Sequence, residues 1–369
     1  MGRCYSTPSS RQANTCAPLK KWREMKMKKI LAVCLAALMV LSLAACGGSA
    51  APAPTTAPAP AAEAPAAAPE TAAEAPAAKT YNIGICQLVQ HPALDAATQG
   101  FRDALTEKLG DSVTFDEQNA SGDSATCITI INSLIAEEVD LIMANATPAL
   151  QAAQAGTADI PILGTSVTDY GTALDIADWA GTTGINISGT SDLAPLDGQA
   201  AMLQELFPDA KEVGLIYCSA EANSVYQISV IKGILTEMGY NCTEYSFTDS
   251  NDVASVVTNA CAASDVLYVP TDNTAASCTE AIRNVVEPAG IPVVAGEEGI
   301  CAGCGVATLS ISYYDLGYAT GEMAYEVLVN GADVATMPIQ YAPQFTKEYN
   351  AELCEILGVT VPEDYVAIG

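Results

Sequence analysis

Tyr81-Asn-Ile-Gly-Ile-Cys-Gln87 is a short apolar run ending in a polar residue. The stretch after it, Pro92-Ala-Leu-Asp-Ala-Ala-Thr-Gln-Gly-Phe-Arg-Asp-Ala-Leu-Thr-Glu-Lys-Leu109, places Leu94, Ala97, Phe101, Leu105 and Leu109 at helical spacing, with Pro92 suited to a first turn. This strand-then-helix unit recurs along the chain. Strands are expected over 113–117, 140–145, 161–165 and 182–187. Helices are expected over 124–136, from Thr147-Pro148 onward, and over 196–207. The pattern then restarts, with strands over 212–218, 242–247, 265–270, 292–295 and 306–311. Helices over 223–238, 252–262, 275–286 and 314–329 alternate with them, and a short strand near 338–341 and a small helix near 348–357 close the chain. Such alternation predicts parallel sheets covered by helices on both faces, and two rounds of it predict two doubly wound α/β lobes.

Composition narrows the function. The formal charge is −28, and after Cys46 only seven of the fifteen basic residues remain, against 42 of the 43 acids. A body this acidic has no footprint for phosphates, so nucleic acid and polybasic contact with anionic lipid are excluded as partners. The single histidine, His91, argues against a Ser/His/Asp triad and most histidine metal sites, no Gly-x-Ser-x-Gly occurs, and no cofactor is called for. Nine cysteines follow Cys46 at scattered positions and do not form a disulfide framework. Most read as small buried hydrophobes, and Cys301-Ala-Gly-Cys304 as a local disulfide or two free thiols rather than zinc ligands.

The N-terminal part reads as an address. Lys26, Lys28 and Lys29 precede an apolar stretch over 30–43 of signal-peptide length, which ends in Leu43-Ala-Ala-Cys46. Small residues before a Cys at that place resemble the lipobox of bacterial lipoproteins, in which the Cys is lipidated and becomes the new N-terminus. The expected organisation is an over-extended start at 1–24, a signal peptide at 25–45, and lipidated Cys46 with an Ala/Pro-rich tether at 46–79.

Polar residues gather where the strands end, which is where open α/β sheets bind ligands. The candidate site residues are Gln87, His91, Thr147, Ser166, Thr168, Asp169, Glu221, Asn223, Thr271, Asp272, Asn273, Glu298 and Tyr313. The same side chains also cap helices, and for any one loop that is the simpler reading. The candidate loops hold no Lys or Arg, so a phosphorylated ligand is disfavoured. A carboxylate could rest on helix N-terminal N–H groups with hydroxyls from Thr147, Ser166 and Thr168. An ammonium group would need an ionised acceptor, with Asp272 and Glu298 first and Glu221 next. Leu88, Pro92, Tyr313 and Tyr314 offer a wall for an aromatic ring, and both tyrosines also fit as core residues opening a helix. Tyr314 reads as core.

The run Ile83-Gly-Ile-Cys-Gln-Leu-Val-Gln-His-Pro-Ala-Leu-Asp95 with Gly100-Phe101 resembles the opening of TrpX-like (tryptophan/tyrosine-binding) lipoproteins, the substrate-binding components of ABC importers. Thr147-Pro-Ala149, Val167-Thr-Asp169, Glu221-Ala-Asn-Ser224, Val269-Pro-Thr-Asp-Asn-Thr274, Gly296-Glu-Glu-Gly299 and Tyr313-Tyr-Asp-Leu-Gly317 follow in family order. Gln90 replaces a Glu of the family pattern, and Cys218-Ser-Ala220 replaces an Asn/Pro/Gly turn. The resemblance implies a type I periplasmic-binding architecture: two Rossmann-like lobes joined by three crossovers near Gly189-Thr190, Leu309-Ser310 and Thr336-Met337. One lobe would be 80–189 plus 308–333, the other 190–307 plus 334–369. It implies an extracytoplasmic, lipid-anchored, non-enzymatic monomer. Such a protein would bind a small molecule, an aromatic amino acid first, and deliver it to ABC permease subunits. Another apolar amino acid, a nucleoside, a sugar or a ligand-sensing role are the alternatives.

Overall fold

The structure, a computed structural model, describes residues 79–368. The expected start at 1–24, the signal peptide, Cys46 and the tether up to residue 78 lie outside the described residues.

Two sheets form the frame. The first holds β1 (Tyr81–Gln87), β2 (Val113–Asn119), β3 (Leu141–Asn145), β4 (Ile162–Val167), β5 (Ile187–Ser191) and β11 (Gln340–Tyr341), all parallel, in the order β11-β5-β4-β3-β1-β2. The second holds β6 (Glu212–Cys218), β7 (Asn241–Phe247), β8 (Val266–Val269), β9 (Val293–Ala295), β10 (Ala307–Ser310), β12 (Thr346–Tyr349) and β13 (Val366–Ala367), in the order β13-β12-β10-β9-β8-β6-β7. Its first five strands are parallel, and β12 runs antiparallel to β10. Each lobe therefore carries a switch point, between β1 and β3 in one and between β6 and β8 in the other, where a doubly wound sheet opens a crevice.

Helices cover both faces of each sheet. In the first lobe α1 (Pro92–Leu109) starts on Pro92, has Asp95 in its first turn and Lys108 in its last, and buries Leu94, Ala97, Phe101 and Leu105. It packs with α11 (Tyr313–Leu328) over Ile83, Ile85, Leu141 and Met143. These two helices touch backbone to backbone: a Cβ at Gly317 would run into the Ala97 carbonyl, so a glycine is required there. The opposite face carries α2 (Ser124–Ala136), α3 (Thr147–Gly156) and the short α4 (Tyr170–Ala173). In the second lobe α5 (Leu196–Leu206), α6 (Ala222–Glu237) and α12 (Ala351–Leu357) cover one face. The other face carries α7 (Val253–Cys261), α8 (Asn273–Ser277), α9 (Thr279–Ala289) and α10 (Glu298–Cys304).

The chain passes between the lobes three times, at 192–195, 311–312 and 342–345. All three passages fall later than expected. β5 pairs with β4 as far as Ser191, β10 stays in the second sheet through Ser310, and β11 joins the first sheet beside β5. The pattern 275–286 resolves into α8 and α9 with a break at Cys278, and β12 had no counterpart among the expected strands. Tyr314, expected in the core, is 39% exposed and donates its hydroxyl to Asp103 at 3.0 Å. All nine cysteines of the described residues are free, Cys301 and Cys304 among them, and both are buried.

Candidate functional site

The lobes meet at the carboxyl ends of their strands, with α3 and α4 of the first against α6 of the second. A bond spans the join: His91 Nε2 lies 3.3 Å from Asn273 Oδ1. Asn273 Oδ1 can only accept, so Nε2 carries the proton of a neutral ring and Nδ1 is left as a buried acceptor without a partner. Burial pushes the His91 pKa below its ordinary value, while Asn273, Glu221 and Asp95 pull the other way.

This join gathers buried polar atoms that the protein leaves unpaired. Of the eight such side-chain atoms among the described residues, six lie at the ends of β3 and β4, at the starts of α1, α3 and α6, or in the first crossover: His91 Nδ1, Asn145 Oδ1, Thr147 Oγ1, Ser166 Oγ, Asp192 Oδ1 and Asn223 Oδ1. Native interiors pair nearly all such groups, and each one left unmade costs about 1–3 kcal/mol. The backbone here is also held in unusual shapes. Ala146, which precedes α3, sits at φ 90° and ψ 157°, and Ser166 sits at φ 54°. For Ala146 this is a region that suits glycine, and such strain collects at binding sites. A cavity of about 160 Å³ opens between the lobes, with Leu88, Val89 and Pro148 on one side and Cys218, Ala220, Glu221 and Asn273 on the other.

The expected residues divide into two groups. His91, Thr147, Ser166, Thr168, Asn223, Asn273 and Tyr313 are buried at the join. The others are engaged within one lobe. Gln87 donates to Val89 O and Asp95 and accepts from Thr98, all inside the first lobe. Asp169 caps α4 through the Thr172 N–H, and Thr271 donates to Gly296 O. Glu221 is saturated: Oε1 accepts from Thr274 N and Oγ1, and Oε2 from Asn273 N, Asn273 Nδ2 and Asn223 Nδ2. Asp272, the first candidate for the ammonium, instead turns into its own lobe. Its oxygens accept the Ala275 N–H at 2.8 Å and the Cys218 N–H at 2.6 Å, so it caps α8 and pins the end of β6. Burial, with the Glu221 charge beside it, pushes its carboxyl up to about 7.

Glu298 is exposed and lies off the cluster, in a cavity of about 450 Å³ shared with Pro92, Tyr313 and Glu348. Its neighbour Glu297 is the buried one, capping α10 through the Gly299 and Ile300 N–H groups, with its carboxyl pushed by burial up to about 7. No group of three His, Cys, Asp or Glu side chains among the described residues is arranged to hold a metal ion.

Sequence reasoning missed Asp192. It opens the first crossover, in Ser191-Asp-Leu-Ala-Pro195, which reads as ordinary helix-entry chemistry. It is 3% exposed, and Tyr313 donates its hydroxyl to Oδ2 at 3.1 Å, tying the first crossover to the second. Burial pushes the Asp192 carboxyl up to about 6, against the lowering effect of the Thr168 and Tyr313 hydroxyls.

Comparison with known proteins bears on this geometry. A sequence model of the family described as ABC transporter substrate binding protein matches residues 82–368. A tyrosine-binding protein of Clostridioides difficile (strain R20291) is 38% identical over 264 residues, 71% of this chain and 76% of that protein. An ABC domain from Streptococcus pneumonia, solved in complex with L-Trp, is 31% identical with a TM-score of 0.74, covering 77% of this chain and 97% of its own. A substrate binding protein with adhesive properties from Clostridium difficile, solved as a ligand-free, open structure, is 36% identical with a TM-score of 0.61, covering 78% of this chain and 99% of its own. The L-Trp complex superposes better than the open structure although it is less similar in sequence, in keeping with lobes that meet across His91 and Asn273.

Proposed function

Because this chain belongs to the family of ABC transporter substrate-binding proteins, we propose that it captures a free aromatic amino acid, tyrosine or tryptophan, between its lobes and delivers it to ABC permease subunits. The observation that carries the reading is the set of six buried, unpaired polar atoms at the join, contributed by both lobes and the first crossover. A zwitterion offers donors and acceptors in a span small enough to serve several of them at once. Its carboxylate would meet the N-terminus of α3 and the hydroxyls of Thr147, Ser166 and Thr168, with Asn223 closing from the second lobe. Leu88 and Pro148 provide apolar surface for the ring. The names of the tyrosine-binding relative and the L-Trp complex support an aromatic ligand.

We also propose that the protein acts as a monomer held at the outer face of the cell membrane by lipid on Cys46. The anchor rests on the Leu43-Ala-Ala-Cys46 sequence. Intact-mass analysis of membrane fractions should find a diacylglyceryl-modified Cys46 as the first residue. A cytoplasmic chain retaining residues 25–45 would refute it. The ligand is tested by calorimetry with tyrosine, tryptophan, leucine, a nucleoside and a hexose. One aromatic amino acid per chain, with a negative heat-capacity change, is expected. Tight binding of the sugar or nucleoside alone would overturn the ligand and leave the family standing.

A further inference from the structure

Four carboxylates are buried among the described residues: Asp192, Glu221, Asp272 and Glu297. Three of them are fully engaged on both oxygens by N–H or O–H groups of the second lobe. Asp192 differs. Oδ2 accepts from Tyr313, and Oδ1 is buried with no partner. Nor do the described residues supply it with a cation. Arg102, Lys108, Lys232, Arg283 and Lys347 are engaged in surface pairs with Glu117, Glu322, Glu244, Glu287 and Glu205, and Lys79 and Lys211 are exposed.

The position is equally specific. Asp192 follows β5 directly, its N–H donates to Val167 O at the end of β4, and Ser191 Oγ donates to Thr168 O beside it. β3, β4 and β5 are neighbours in the sheet, so Asp192 stands alongside the strand ends that carry Thr147, Ser166 and Thr168. A buried anion with a free lone pair, no cation among the described residues and hydroxyls alongside is complementary to a positively charged donor brought in from outside.

We infer that Asp192, through Oδ1, accepts the ammonium group of the bound amino acid, with Tyr313 as the positioning residue that fixes the carboxylate. The inference rests on the amino-acid reading above. It makes Asp192 the residue that separates amino acids from their deaminated acids, and it places the ligand's charge against the crossovers about which the lobes would turn.

The test compares L-tyrosine with its deaminated analogue, 3-(4-hydroxyphenyl)propanoate, by calorimetry at pH 7.5 on the wild type, Asp192→Asn and Tyr313→Phe. The wild type is expected to prefer tyrosine by at least 100-fold. In Asp192→Asn the affinity for tyrosine should fall at least 30-fold while that for the analogue stays the same or rises, so the preference collapses. In Tyr313→Phe, which keeps the carboxylate but frees it, the preference should fall at least threefold. This variant decides the matter if Asp192→Asn does not fold. A preference unchanged in the variants, or an equal loss for both ligands, would overturn the assignment and leave Asp192 as a brace of the crossovers. A wild type that binds neither tyrosine nor tryptophan overturns the amino-acid reading itself, and the assignment with it.

Discussion

Glu221→Gln is the sharpest probe of how the second lobe holds its half of the site. The Glu221 carboxylate accepts five hydrogen bonds, two on Oε1 and three on Oε2, at 2.6–3.2 Å. Glutamine keeps one acceptor oxygen and brings an NH2 group to the other side. The least costly placement keeps the oxygen on the Asn273 and Asn223 side and sets the NH2 against Thr274. The Thr274 hydroxyl can turn to accept from it, but the Thr274 N–H, now 2.9 Å from Oε1, loses its acceptor. One charge-assisted bond to a backbone donor is forfeited, about 1.5–3 kcal/mol. Some is returned because the Glu221 charge is one cause of the raised pKa of Asp272. A net loss of about 2 kcal/mol, or roughly 4–8 °C in Tm, is expected in the ligand-free protein. Thermal unfolding read by circular dichroism measures it. The preference for tyrosine over its deaminated analogue should be unchanged, since the carboxylate serves Asn273 and Thr274. A Tm within about 1 °C of wild type would refute this account, as would a collapse of the ligand preference.

Other outcomes follow from the same contacts. Asp272→Asn should leave tyrosine affinity within about twofold of wild type by calorimetry, roughly 0.4 kcal/mol, because both oxygens are held inside the second lobe. Burial raises the carboxyls of Asp192, Asp272 and Glu297 to about 6, 7 and 7, so the folded state favours their protonated forms. Their contribution is full below the unfolded carboxylate range and is lost as pH rises through these values. Ligand-free stability should therefore fall between pH 5.5 and 8, by about 2 kcal/mol for a single group held near 7, read as Tm against pH. Burial lowers the His91 pKa where the lobes meet, so a protonated imidazole opposes their closure. Affinity should weaken as pH drops below about 6.5, and His91→Gln should make that decline shallower. Finally, Ala146 and Ala149 are both fully buried, but only Ala146 sits where glycine is at ease. Ala149→Gly should cost about 2 kcal/mol in denaturant unfolding. Ala146→Gly should cost close to nothing, since relieved strain of about 1–3 kcal/mol offsets the lost methyl.

The two lobes were legible because parallel strands buried on both faces leave continuous apolar runs, and helices with one apolar face leave a different period. The locations of the binding loops followed from where those runs end. Individual roles did not, because Asp, Glu, Asn and Thr cap helices with the same atoms they would offer a ligand. Asp272 and Glu298 looked equivalent to a free acceptor in sequence. Only the fold reveals that one is tied to Cys218 and Ala275 and the other stands outside the cluster. Asp192 was hidden for the converse reason: Ser-Asp-Leu-Ala-Pro resembles a helix entry, and its importance arises from Tyr313, far away in sequence. β12 was missed because Thr-Lys-Glu-Tyr carries little apolar patterning, and its pairing with β10 is a matter of tertiary structure.

The contact of α11 with α1 has a consequence for how the protein comes into being. Synthesis delivers α1 early and α11 only after five of the seven strands of the second sheet have been made, yet Gly100 and Gly317 let these helices share a face of the first sheet. Until α11 arrives, that face exposes Ile83, Ile85, Leu141 and Met143, which become buried only in the finished fold. Neither lobe can therefore finish before the last part of the chain is made: the first waits for α11 and β11, the second for β12, α12 and β13. A chain emerging N-terminus first carries an open apolar sheet through most of its synthesis, and this favours slow, non-local folding with aggregation-prone intermediates.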